Sequence, residues 1–99
     1  MASIVRWTQR AQHEFDKVVT YYEVEYSPLA AENLVSDAKK EIEKLKKQPF
    51  IGRASQKRPI VRFVLVGKRY RLYYRVHDEI ILVVSFFDTR QNPKKDPYQ

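Results

Sequence analysis

Residues 60–87 read IVRFVLVGKRYRLYYRVHDEIILVVSFF, and their spacing decides the architecture. Within them Tyr70, Leu72, Tyr74 and Val76 alternate with Arg69, Arg71, Tyr73 and Arg75. Successive side chains of a strand point to opposite faces, so this is a half-buried strand with one apolar and one cationic side. Upstream, Ile60 to Val66 reads as a second strand. Gly67-Lys68 joins the two as a two-residue turn, with glycine where a positive φ is needed. Downstream, a tight turn near His77-Asp78 leads into Glu79–Phe87, apolar on both faces and therefore a central strand.

Working back towards the N-terminus, the period changes from two to that of a helix. Ala31, Leu34, Val35, Ala38, Ile42 and Leu45 share one face, and Lys44, Lys46 and Lys47 crowd the last turn, where cations complement the helix dipole. Ser27-Pro28 supplies the cap and the first helical residue, and Gln48-Pro49 ends the helix. Before it, Ala11, Phe15, Val18, Val19, Tyr22 and Tyr26 make the stripe of another helix, capped by Thr8. The short joint between them predicts an antiparallel hairpin. Ser3 to Trp7 reads as a first strand, residues 50–59 as a loop, and residues 88–99, with two prolines, as a non-helical tail of flexible composition. The expected fold is α+β in a single domain spanning residues 1–99: an N-terminal strand, a helix hairpin, then a three-strand antiparallel meander, with the helices on one sheet face.

That layering gives the charge a direction. The 99 residues carry 19 Lys and Arg against 12 Asp and Glu, a formal net of +7. Residues 1–52 balance, whereas Arg53, Lys57, Arg58, Arg62, Lys68, Arg69, Arg71 and Arg75 lie in a stretch without any acid. With Tyr70, Leu72 and Tyr74 facing the helices, Arg69, Arg71 and Arg75 point out of the other face, and Arg62 can join them from the neighbouring strand. Such a patch attracts anionic partners, nucleic acid or an acidic protein segment. Tyr73 interleaves with it, and Arg90, Lys94, Lys95 and Tyr98 follow closely. Arginine clamps phosphate and stabilises developing phosphoryl charge, while tyrosine stacks on bases or moves a proton. The plainer reading is that these arginines only keep a sheet face wet, but dispersed lysines would serve that end equally well.

Other chemistry is poorly provided for. There is no cysteine, hence no disulfide, thiolate metal site or cysteine nucleophile. His13-Glu14 begins like a zinc-protease motif, but Lys17 stands where the second histidine belongs. Gly52 and Gly67 are the only glycines, too few for a phosphate-binding loop. No metal and no cofactor is expected. The longest apolar run, Ile80–Phe87, is far shorter than the roughly 20 residues that span a bilayer. With a charge already at Arg6, nothing resembles a signal peptide, so a cytoplasmic protein without membrane partners is expected.

In order of elements and in several sequence blocks the chain resembles the RelE/ParE superfamily of type II toxin–antitoxin toxins. The N-terminal half is similar to ParE-type toxins at Ala11, Val18-Val19-Thr20-Tyr21-Tyr22, Ala30-Ala31, Ile42-Glu43-Lys44-Leu45 and Gln48-Pro49-Phe50-Ile51-Gly52. Tyr70-Arg71-Leu72-Tyr73-Tyr74-Arg75-Val76 and Asp88-Thr89-Arg90-Gln91-Asn92-Pro93 resemble superfamily blocks of the C-terminal half. The resemblance implies a plasmid-stabilisation type toxin that arrests growth, with a cognate antitoxin as partner.

Two branches imply two targets. ParE-type toxins poison DNA gyrase without catalytic residues of their own, and this reading is placed first. RelE-type toxins are metal-independent mRNA endonucleases acting on the ribosome. On that branch Arg71, Arg90 and Arg62 fall on the basic catalytic positions, and Tyr98 is the only candidate for the tyrosine. Val64 replaces the second basic residue of its strand, and the tail lacks a histidine. On either branch Arg62, Arg69, Arg71, Tyr73, Arg75, Arg90, Lys94 and Lys95 are the target-binding candidates. A non-catalytic nucleic-acid-binding module is the third reading.

Overall fold

In the computed structural model, which describes residues 4–99, the expected α+β layering is present with one strand more than expected. Strand β1 spans Ile4–Trp7; Ser3, expected to open it, lies outside the described residues. Helices α1 (Gln9–Glu25) and α2 (Pro28–Lys47) follow, then strands β2 (Arg53–Ala54), β3 (Arg62–Val66), β4 (Tyr70–His77) and β5 (Ile80–Asp88), and a 3-10 turn at Pro93–Lys95. The sheet runs β1-β5-β4-β3-β2, with β1 parallel to β5 and the remaining pairs antiparallel.

Both helix starts form for the reasons read from the sequence. Thr8 Oγ1 accepts from the Ala11 amide at 3.1 Å, and Ser27 Oγ from the Ala30 amide at 3.0 Å, each satisfying a donor that the first turn leaves free. Ala11, Leu34, Ala38 and Leu45 then pack on Val66, Tyr70, Leu72, Tyr74, Ile81, Val83 and Phe86 to make the main core. Tyr26 departs from the expected stripe: it follows the last turn of α1 and is 57% exposed.

The loop at residues 50–59 contains the extra strand, β2, whose Arg53 and Ala54 pair with Phe63 and Arg62. Two residues are too few to show a period. Ile60 is exposed in the turn before β3, which therefore starts at Arg62 and not at Ile60. The β3–β4 turn takes three residues, since Val66 lies opposite Tyr70; Gly67 and Lys68 adopt φ of 60° and 67°. Arg69 thus belongs to the turn and not to β4. The next turn is tighter, with His77 opposite Ile80 and Asp78 at φ 53°.

Strand β5 is internal, between β1 and β4, and carries a bulge. Val83 pairs with Tyr74 and Ser85 with Tyr73, so Val84 is the inserted residue. The inserted residue resets the alternation: Phe86 joins the helix-side core and Phe87 the opposite face. Glu14 of α1 secures the bulge, Oε1 accepting from Ser85 Oγ at 2.9 Å and from the Phe86 amide at 3.1 Å. Ser85 is fully buried. Glu14→Ala should therefore cost about 1–2 kcal/mol, the price of stranding polar groups. Urea unfolding measures it, and an unchanged midpoint would show that the carboxylate is dispensable.

Candidate functional site

Strand β4 keeps the predicted alternation, yet its cationic side is not an open field. Tyr73 is fully buried in a second apolar cluster with Val61, Phe63 and Phe87, against which Val84 and Tyr98 pack. The tail covers this face. The Tyr98 ring lies 4.9 Å from that of Tyr73, and the Tyr98 carbonyl accepts from Ser55 Oγ and, at 3.3 Å, from the Lys57 amide. Composition alone made the tail look flexible; the structure folds it back because Tyr98 has an apolar surface to bury and Asp96 a cation to meet.

Asp96 is the centre of this arrangement. Its carboxylate, 1% exposed, meets Arg71 Nη1 at 2.7 Å and accepts from the Tyr73 hydroxyl at 2.7–2.8 Å. The amides of Tyr98 and Gln99 donate to Oδ1 at 2.9 and 3.2 Å. Burial of a carboxylate is tolerable only with such a complete set of donors. Arg71 in turn lies over the Phe63 ring at 5.3 Å, and its Nε is buried without a hydrogen-bond acceptor. Burial, followed by the hydrogen bond to Asp96 and that group's charge, pushes the Tyr73 hydroxyl well above its ordinary pKa; nearby Arg71 only moderates the shift. Tyr73 therefore holds its proton at neutral pH and is no general base there.

The other predicted residues are dispersed. Arg62 pairs with Tyr74 and so faces the helix side, which corrects the expectation that it joins Arg71. Its Nη1 donates to the carbonyls of Phe50 at 3.2 Å and Gly52 at 2.8 Å, and the guanidinium lies 5.4 Å from the Phe50 ring centre. Arg90 is likewise apart from Arg71, forked onto Asp88 at 3.0–3.1 Å and reaching Tyr70 Oη, 3.4 Å away, on the helix side. Burial raises the Asp88 pKa, but the hydrogen bonds from Arg90 and its charge outweigh that and hold it below the ordinary value. Tyr70 donates to Tyr22 Oη at 3.1 Å and stacks on Phe86 at 5.0 Å.

Arg69 is exposed in its turn, and Lys94 and Lys95 are exposed on the 3-10 turn. Arg75 shares the open face with Arg71, opposite Leu82. Of the four proposed catalytic residues, Arg71 and Tyr98 thus meet around Asp96, while Arg62 and Arg90 lie elsewhere. Asp96 itself escaped sequence reasoning. Its one signal was to be the sole acid among residues 89–99, directly before Pro97-Tyr98. His13 and His77 are both exposed.

A family model described as ParE toxin of type II toxin-antitoxin system, parDE, matches residues 5–93. No curated protein matches the chain. A solved structure from the chromosomal ParDE TA system of P. aeruginosa is similar with a TM-score of 0.71 and 21% identity, covering 86% of this chain and 94% of that one. A YoeB/ParE toxin from Agrobacterium tumefaciens is similar at 0.65 and 14%, covering 87% and 98%. At these identities the two structures establish the shared fold alone.

Proposed function

We propose a non-catalytic mode of action for this chain, which belongs to the ParE toxin family of type II toxin–antitoxin systems. It arrests growth in the cytoplasm by binding DNA gyrase and poisoning it, and its cognate antitoxin blocks that surface. The family membership carries the toxin and its antitoxin; the gyrase target is the reading that the side-chain arrangement favours.

The observation that favours it is the state of Arg71. An endonuclease of RelE type needs cations free to meet a phosphoryl group, with a proton acceptor close by. Here the Arg71 guanidinium is bound to Asp96 at 2.7 Å. The neighbouring tyrosine keeps its proton. Arg62 and Arg90 are engaged with Gly52 and Asp88 on the helix side. Poisoning by surface contact needs none of these groups to converge.

Induction from a tightly repressed promoter tests the reading. Growth should stop, messenger RNA should stay full length, and plasmid supercoiling that depends on gyrase should be lost. Co-expression of the adjacent antitoxin gene should restore growth and supercoiling. Fragmented messenger RNA with normal supercoiling would overturn the proposal in favour of the endonuclease, and Arg71→Ala and Arg90→Ala would then abolish the cleavage. Salt-sensitive affinity for bare nucleic acid without growth arrest would leave only a binding module.

A further inference from the structure

The tail sits on a floor of aromatic rings and cations and leaves part of it unused. Phe63, Tyr73 and Phe87 supply the apolar area, and the Arg71 guanidinium lies beside the Phe63 ring. Arg53 of β2, directly opposite Phe63, shares that side of the sheet and is exposed. Lys57 Nζ reaches the Asp96 carbonyl at 2.9 Å. Among the described residues, Asp96 is the only acid whose carboxylate lies within 4 Å of any of these three cations. It serves them incompletely. The carboxylate bonds Arg71 through Nη1, Arg71 Nε stays buried with no acceptor, and Oδ1 is shared with two amides of the tail itself.

We infer that the tail is an autoinhibitory strap: the floor beneath it takes a nucleotide unit of single-stranded nucleic acid, and the tail masks it by imitating one. Asp96 stands where the phosphate belongs, on Arg71 Nη1 and the Tyr73 hydroxyl. Tyr98 stands where the base belongs, its ring 4.9 Å from that of Tyr73. Aromatic rings accept any base by stacking, and a guanidinium takes phosphate through two parallel N–H bonds. The unfilled donors select a phosphate over another acidic peptide, because the carboxylate already present leaves Arg71 Nε empty and Arg53 unpaired. The mask holds because it is attached: a tethered competitor acts at an effective concentration on the order of millimolar, above that of a free strand. This site goes beyond the toxin reading and does not depend on it. Binding here is not cleavage, since Arg62 and Arg90 lie on the helix side.

Fluorescence anisotropy of a labelled ten-residue single-stranded RNA, titrated with full-length chains at 50 mM salt, provides the test. Asp96→Ala should bind at least tenfold tighter than the parent. Asp96→Asn disturbs the fold less and should still gain at least threefold. Asp78→Asn removes the same charge from an exposed turn and should stay within twofold of the parent. Adding Arg71→Met to Asp96→Ala should return the affinity to the parent's level. If neither Asp96 variant binds more tightly than Asp78→Asn, the tail masks nothing and this inference falls while the toxin reading stands. A gain that survives Arg71→Met would place the RNA elsewhere on the chain and overturn it equally. Should Asp96→Ala gain affinity for an acidic aromatic peptide and none for RNA, the face takes protein and the proposal is again overturned. RNA bound by Asp96→Ala should stay full length; its cleavage would overturn the non-catalytic reading and leave this site in place.

Discussion

Asp96→Ala is expected to cost about 3 kcal/mol of stability, the low end of the range for removing one partner of a buried ion pair. The low end applies because the Arg71 side chain keeps 28% of its exposure and can recover some hydration. The substitution also leaves the Tyr73 hydroxyl and the amides of Tyr98 and Gln99 without the oxygen they now share. For a domain of this size the melting temperature should fall by roughly 12–24 °C. Asp96→Asn keeps one acceptor oxygen but loses the charge and turns an NH2 group towards donors that the second oxygen now serves, so its stability should lie between that of Asp96→Ala and that of the parent.

The pairing itself is separated from general damage by a double-mutant cycle with Arg71→Met. Coupling of about 1–3 kcal/mol is expected if the two groups act as one unit. A coupling near zero, or an Asp96→Ala chain as stable as its parent, would mean that the tail merely rests on the sheet. The same variant frees Arg71, so any nucleic-acid affinity that appears on Asp96→Ala would identify the tail as the element that silences that arginine.

Gly52→Ala is the second large effect, expected at about 2–3 kcal/mol from overpacking. A Cβ at position 52 would lie 2.6 Å from Tyr74 Oη and 2.8 Å from the Phe63 carbonyl oxygen. The first contact cannot yield easily, because the Tyr74 hydroxyl donates to the Pro49 carbonyl at 2.7 Å and accepts from the Gly52 amide at 3.0 Å. The second cannot yield at all without moving β3. Glycine is therefore required here for close approach between a loop and a buried ring, and its φ is not in the left-handed region. Urea unfolding of Gly52→Ala beside Gly52→Ala/Tyr74→Phe separates the contacts. Partial recovery in the double variant is expected, and none would place the whole clash on the Phe63 backbone.

How much of this was legible in the residues depends on the range of the interaction. Both helices and both N-caps follow from neighbours within four positions. The faces of β4 follow from strict alternation over Tyr70–Val76, and a local period survives folding. Strand β2 was invisible because Arg53-Ala54 has no period of its own; it exists only where β3 offers an edge. The assignment of Arg62 failed for a related reason: its side follows from its pairing with Tyr74. The bulge at Val84 is hidden too, since a run apolar on both faces carries no mark of where the alternation shifts by one.

The distribution of charge separates the two levels most clearly. By itself the sequence determined that eight cations stand together without an acid, and that Arg71 and Arg75 must leave β4 on the side away from the helices. The tertiary structure alone decided what each meets there. Arg71 is neutralised by a carboxylate 25 residues further on, while Arg75 stays unpaired among the described residues in a row with Leu82 and Arg6. Alternation is a property of consecutive residues and can be read from them. Which acid reaches which cation depends on the path of a tail whose only guides are an aromatic ring in need of burial and one carboxylate in need of donors.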